Sequence, residues 1–247
     1  MDENRLIFLR DYIIKFQLQC DRYLSKICDP KGKSVLVVGS GWGTEILWCI
    51  RNNANEVVGL DVGQRDLKPL QSALELLGIQ TSTKYSFIQK SINEALDLDR
   101  KFDLILSNNV FEHIFDIQRA LFVCSQLVKP ANESRIAIFT DPLYYSSCGS
   151  HLPIEPWEQL WGLEDAIQAK VTPFQWYEYN NGLNRMTVSD FLDAIVVNNL
   201  IIHKFEIVLD RNFHTIGKYL DKINLADGVS KTDLLVEGIM CELSVYN

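Results

Sequence analysis

Three glycines at alternate positions, Gly39, Gly41 and Gly43, stand between a run of branched apolar residues, Ser34 to Val38, and a stretch of helical composition from Glu45 to Arg51. A strand that enters such a turn and leaves it as a helix gathers bare backbone and unpaired N–H groups in one place. A ligand can then lie against the bare backbone that the glycines provide. A dinucleotide-binding turn follows G-x-G-x-x-G, and the place of its third glycine is held here by Thr44. The observed spacing is G-x-G-x-G instead. This turn also lacks the G-K-[ST] of a phosphate-binding loop, which argues against nucleoside triphosphate hydrolysis.

A second group closes the next apolar run, Val57-Val58-Gly59-Leu60-Asp61, with Val62 just beyond it. Asp61 lies eighteen residues after Gly43. A carboxylate at that strand end can accept hydrogen bonds from both ribose hydroxyls of an adenosine group; its alternative is to cap a helix that begins near Asp66. A third group runs from Lys101 through Phe102-Asp103-Leu104-Ile105-Leu106 into Ser107, Asn108 and Asn109, then on to Glu112 and His113. There an apolar strand ends in small polar residues, at the edge where open sheets bind ligands.

The elements that would position these groups alternate regularly. Strands are expected at 34–38, 56–61, 85–89, 102–106, 135–139, 201–209 and 234–245, and helices at 45–51, 67–77, 117–128 and 187–199 with Thr187 as N-cap. Strands that read as nearly unbroken apolar runs between helices indicate a parallel sheet covered on both faces, and right-handed crossovers make it doubly wound. Leu6, Ile13, Cys20 and Ile27 recur every seven residues, so residues 1–30 read as a helix, either packed on the core or serving as a lid or pairing surface. Residues 31–247 form the main domain. Within it 142–186 is expected as a cap, rich in prolines and carrying Trp157, Trp161 and Trp176.

Composition narrows the function. A chain of 247 residues, 47% hydrophobic, buries enough surface to fold without a metal or disulfide. Its six cysteines include no C-x-x-C pair, so no metal site is expected and reduced thiols in a cytoplasmic setting are. A net charge of −8 disfavours nucleic acid as a partner, and neither a membrane span nor a basic-then-apolar leader is evident.

Taken together, the glycine turn, Asp61 and the F-D-L-I-L-S-x-x-V-x-E-H-I run resemble the class I S-adenosylmethionine-dependent methyltransferases, best in the small-molecule branch. The likeness covers about residues 33 to 145 well and the stretch from Thr187 to Tyr246 more loosely. It implies a seven-stranded, mostly parallel α/β sheet of Rossmann-like methyltransferase type, with an N-terminal helix and an aromatic cap segment. It also implies S-adenosyl-L-methionine as cofactor. Gly39, Ser40, Gly41, Gly43, Asp61 and Val62 would form its cradle, Ser91 and Ile92 would flank the adenine, and Ser107 with Asn108 would approach the methionyl part. Two positions depart from the family pattern: Val37 and Ser91 stand where acids are common, the first near the methionyl amino end.

The implied activity is methyl transfer to a small molecule or glycan, on oxygen. His151 and His113 are the candidate bases, since an imidazole can take a proton near neutral pH. His151 could instead bond a local carbonyl, and His113 could brace the loop that carries it. Trp157, Trp161, Phe174, Trp176, Tyr177 and Tyr179 would either lid the acceptor pocket or form a core of the cap. Asn184 and Arg185 would orient substrate or brace a helix. A nicotinamide-dependent oxidoreductase and a non-catalytic methyltransferase-like binding protein remain the alternatives, and a homodimer through the N-terminal helix stays open.

Overall fold

A computed structural model describes residues 1–246, so only Asn247 of the expected main domain lies outside it. Strands β1 (Ser34–Val38), β2 (Glu56–Asp61), β3 (Lys84–Gln89), β4 (Leu104–Asn108) and β5 (Arg135–Thr140) pair in parallel. Strands β6 (Leu200–Leu209) and β7 (Val236–Val245) complete a seven-stranded sheet in the order β3-β2-β1-β4-β5-β7-β6, with β7 antiparallel to both neighbours. Strand order reverses between β1 and β4, so a crevice opens beyond their carboxyl ends.

Both faces of the sheet are covered, which explains the near-continuous apolar strands. In β1, Val35 and Val37 belong to one core and Leu36 and Val38 to the other. The first core is closed by α1 (Glu3–Lys15), α2 (Gln17–Tyr23), α3 (Thr44–Arg51) and α4 (Lys68–Leu76), which bring Ile13, Cys20, Leu47 and Leu70. The second is closed by α5 (Ile117–Leu127), α9 (Val188–Val197) and the 3-10 turn Ile92–Asp97. Between β5 and α9 lie the short helices α6 (Glu158–Trp161), α7 (Glu164–Gln168) and α8 (Pro173–Asn181). They surround a third core of Tyr144, Tyr145, Trp157, Tyr179, Leu183 and Leu234.

Three expectations need correction. The N-terminal segment is not one helix but two, broken at Phe16. The cause is Gln17, whose buried amide donates to the Ile13 carbonyl at 3.1 Å and to the Thr44 carbonyl at 2.9 Å. A side chain inserted into the helical ladder bends it, here pinning the bend onto the start of α3. The fourth strand lies two residues later than expected, because Phe102 leaves the sheet to bridge Val128 while Ser107 and Asn108 pair with Val38 and Phe139. Strand β7 begins at Val236 rather than at residue 234, since Asp233–Leu235 forms a 3-10 turn. Thr187 does cap α9, in a reciprocal box with Asp190.

The N-terminal helices are part of the main core, with Ile13 fully buried. Ile13→Ala should therefore lower the unfolding free energy by about 2–5 kcal/mol. Urea denaturation should show one cooperative transition at a lower midpoint, whereas a detachable helix would leave the midpoint unchanged.

Candidate active site

At the carboxyl edge of the sheet, Gly39, Gly41 and Gly43 all adopt positive φ, at 68°, 50° and 104°. This region is open to glycine and strained for other residues. A Cβ at Gly39 would sit 2.2 Å from a methyl of Val110, so the loop after β4 packs directly on this backbone. Nothing lies within 4 Å of a Cβ built at Gly41, so the turn presents bare backbone to open space. Gly43 closes the turn as N-cap of α3.

Asp61 holds the turn from the neighbouring strand. Its Oδ2 accepts from the Gly41 N–H at 2.9 Å, and its Oδ1 accepts from the Gly63 N–H at 2.8 Å and from the Arg65 guanidinium at 2.7 Å. Arg65 lies over Trp42 at 5.0 Å, and Arg5 approaches the same ring at 5.9 Å. Asp61 thus caps no helix; it ties β2 to the glycine turn.

A cavity of about 340 Å³ opens on the turn, lined below by Gly39, Ser40, Gly41, Glu45, Asn108 and Asn109 and above by Phe8 and Tyr12 of α1 and by Phe16 at the break after it. Three of its polar atoms stand without a partner. Ser40 Oγ, Asn108 Oδ1 and Asn109 Oδ1 are buried without a partner, and Glu45 accepts from Asn108 Nδ2 at 2.7 Å. Burial pushes the Glu45 carboxyl up to about 7, against the opposing pull of the Asn108 hydrogen bond.

The residues named from sequence divide into two groups. Gly39, Ser40, Gly41 and Asn108 meet at this cavity, with Asp61 bonded to the turn beside it. Val62 is exposed, and its carbonyl accepts from Gln89. Ser91 caps the 3-10 turn through the Asn93 N–H, and Ile92 is buried in that turn. Ser107 is buried with its hydroxyl turned to the Val38 carbonyl. His113 and His151 come together with ring centroids 5.3 Å apart and planes at 89°. His113 Nδ1 lies 2.6 Å from the Gly182 carbonyl oxygen, and His151 Nε2 lies 3.4 Å from that of Pro142. The packing around His151, then the nearby His113, hold its pKa below the ordinary histidine value.

Glu45, Asn109 and the aromatic side of α1 were missed in the sequence. The signal for Glu45 was available: it is the one acid in Thr44–Ile50, a run that is buried throughout. Around the histidine pair the cap braces rather than binds. Asn184 Nδ2 donates to the Phe111 and Ile114 carbonyls at 2.6 and 2.7 Å, which fixes the loop carrying His113. Trp157, Trp161, Trp176 and Tyr179 belong to the cap core, while Phe174 and Tyr177 face solvent. Beneath that loop Glu112 is buried and hydrogen-bonded to the Thr140 hydroxyl. Burial raises its pKa to about 8.

Residues 36–132 match the family described as Methyltransferase domain. A ubiquinone biosynthesis O-methyltransferase of Salmonella newport is 34% identical over 103 residues, which is 41% of this chain and 40% of that protein. The chain thus matches about two fifths of the length of this curated relative. Among solved structures, an S-adenosylmethionine-dependent methyltransferase from Mesorhizobium loti superposes with a TM-score of 0.55 at 17% identity, over 89% of this chain and 94% of that one. Geranyl diphosphate C-methyltransferase from Streptomyces coelicolor A3(2) does so with a TM-score of 0.57 at 11% identity, over 93% and 77%. At such identities the likeness concerns the fold.

Two outcomes follow from this geometry. Asp61→Ala removes the acceptor for two backbone N–H groups and a guanidinium, and should cost about 1–3 kcal/mol of stability by urea denaturation. Glu112 is neutral in the fold and would ionise near pH 4.5 when exposed, so the stability it contributes is full at acid pH and is lost as pH rises through about 8. Glu112→Gln should therefore narrow the gap in melting temperature between pH about 5 and about 9 by several degrees. An unchanged gap would mean that Glu112 is already ionised in the fold.

Proposed function

We propose, for a chain that carries a methyltransferase domain on the class I fold, that it transfers a methyl group from S-adenosyl-L-methionine to an oxygen of a small-molecule or glycan acceptor. One observation carries this reading: bare backbone open at Gly41, locked to an acid on the next strand, beside a cavity that holds the unpartnered oxygens of Ser40, Asn108 and Asn109. A ligand with a hydroxylated sugar and an amino-acid end offers donors to those unpartnered oxygens. The chain has no phosphate-binding loop at this turn, and this cofactor carries no phosphate.

When bound, S-adenosyl-L-methionine supplies a sulfonium methyl group for in-line displacement. Asp61 would receive the ribose hydroxyls, with Arg65 yielding its hold on Oδ1. Ser91 and Ile92 would edge the adenine, and Ser107 and Asn108 the methionyl part. Holding the acceptor in line accounts for roughly 7–11 kcal/mol of barrier lowering in well-aligned systems. His151, supported by His113, would take the proton from the attacking hydroxyl. Its lowered pKa keeps the imidazole neutral and able to accept at physiological pH.

The O-methyltransferase relative supports an oxygen acceptor, and the modest cavity supports a small one. Among the described residues no helix is long and apolar enough to cross a membrane.

Calorimetric titration should show binding of S-adenosylhomocysteine and none of NADH, and Asp61→Ala should weaken that binding about tenfold or more. With methyl-labelled cofactor and a panel of phenols and glycosides, label should appear on oxygen. His151→Ala should lower kcat about 10²–10⁴-fold with cofactor affinity kept. Binding without transfer to any acceptor would instead favour a non-catalytic cofactor-binding protein, and NADH binding alone would end the methyltransferase reading.

A further inference from the structure

Glu45 is 7% exposed, lines the cavity beside the glycine turn and forms no ion pair among the described residues. A buried carboxylate without a cation is costly to ionise, and it gains most from a ligand that brings the positive charge with it. The groups around it point to the same chemistry. Asn108 spends its amide N–H on Glu45, which leaves its Oδ1 unpartnered, and Asn109 Oδ1 and Ser40 Oγ are likewise buried and unpartnered. A carboxylate with several amide and hydroxyl oxygens and no nearby cation complements a group with several N–H donors and a charge. A primary ammonium is that group. The end of β1 contributes no acid here, since Val37 is fully buried in the apolar core.

We propose that Glu45 is the anionic partner of the cofactor's α-ammonium group, with Asn108 positioning its carboxylate and the oxygens of Ser40 and Asn109 as further acceptors. This rests on the methyltransferase reading, and it assigns the amino-acid end of the ligand to the first turn of α3. The carboxylate must be ionised to act, so binding is linked to proton release. The titratable groups facing Glu45 are Tyr12 of α1, Cys20 of α2 and Cys49 of α3. Burial holds the pKa of each above its ordinary value, so all three are neutral where Glu45 titrates.

The test is calorimetric titration of the full chain and of Glu45→Gln with two ligands. S-adenosylhomocysteine carries the ammonium; methylthioadenosine lacks the amino-acid part. In the wild type, affinity for the first should rise about tenfold from pH about 6 to about 8, with protons released into the buffer, while affinity for the second stays flat. Glu45→Gln should lose about tenfold or more for the first at the upper pH, lose the pH slope, and keep its affinity for the second. Should Glu45→Gln fail to fold, the wild-type slope and the contrast between the two ligands decide alone. A flat wild-type profile, or an unchanged Kd in the variant, overturns the role of Glu45 and leaves the methyltransferase reading standing. If neither ligand binds the wild type, both fall.

Discussion

The binding edge keeps its shape because one carboxylate spans two strands. Gly39, Gly41 and Gly43 bring no side chains to hold the turn after β1, and their positive φ angles are favourable in glycine. The Gly39 and Ser40 N–H groups donate to the Leu60 carbonyl, and Asp61 adds a side-chain restraint by accepting the Gly41 N–H from the end of β2. The same group also fixes the turn after β2 through Gly63 and draws Arg65 in over Trp42. On the proposed reading, a ribose at Asp61 would compete with the Arg65 guanidinium for Oδ1.

A second theme is acidity stored beneath the surface. Glu45, Glu112 and Asp141 are all held above the ordinary carboxylate range by burial, at about 7, about 8 and about 6. They occupy the first turn of α3, the loop after β4 and the end of β5, three points of the same carboxyl edge. Compact parallel sheets bury the bases of their loops, and polar residues placed there stay neutral unless a partner arrives. Glu112 has a hydroxyl partner and a structural task. Glu45 has one amide partner and lines an open cavity, which is why the proposal gives it a ligand rather than a brace.

Much of the architecture was legible in the chain because strands buried on both faces leave long apolar runs, and those runs fixed the strand count and the carboxyl edge. The glycine turn and Asp61 were legible because their geometry demands particular residue types. What could not be read depended on tertiary placement. The break at Phe16 comes from Gln17 bonding across to Thr44, a contact twenty-seven residues away that no local pattern announces. The shift of β4 depends on Phe102 finding Val128. The meeting of His113 with His151 likewise depends on two loops that adjoin only once the sheet is built. The aromatic cap segment could be seen as unusual, but whether its tryptophans faced a ligand or each other was decided by packing.

The contact between Gly39 and Val110 binds two distant parts of the chain into one packed unit. Methyl groups of Val110 fill the volume that any side chain at position 39 would claim. Neither position can drift freely: a bulkier residue at 110 would press the turn out of shape, and a smaller one would leave a hollow under the floor of the cavity. Descendants of this sequence should thus change these two places together or not at all, and the pair forms a short signature by which kin with the same floor can be told from kin that merely share the sheet.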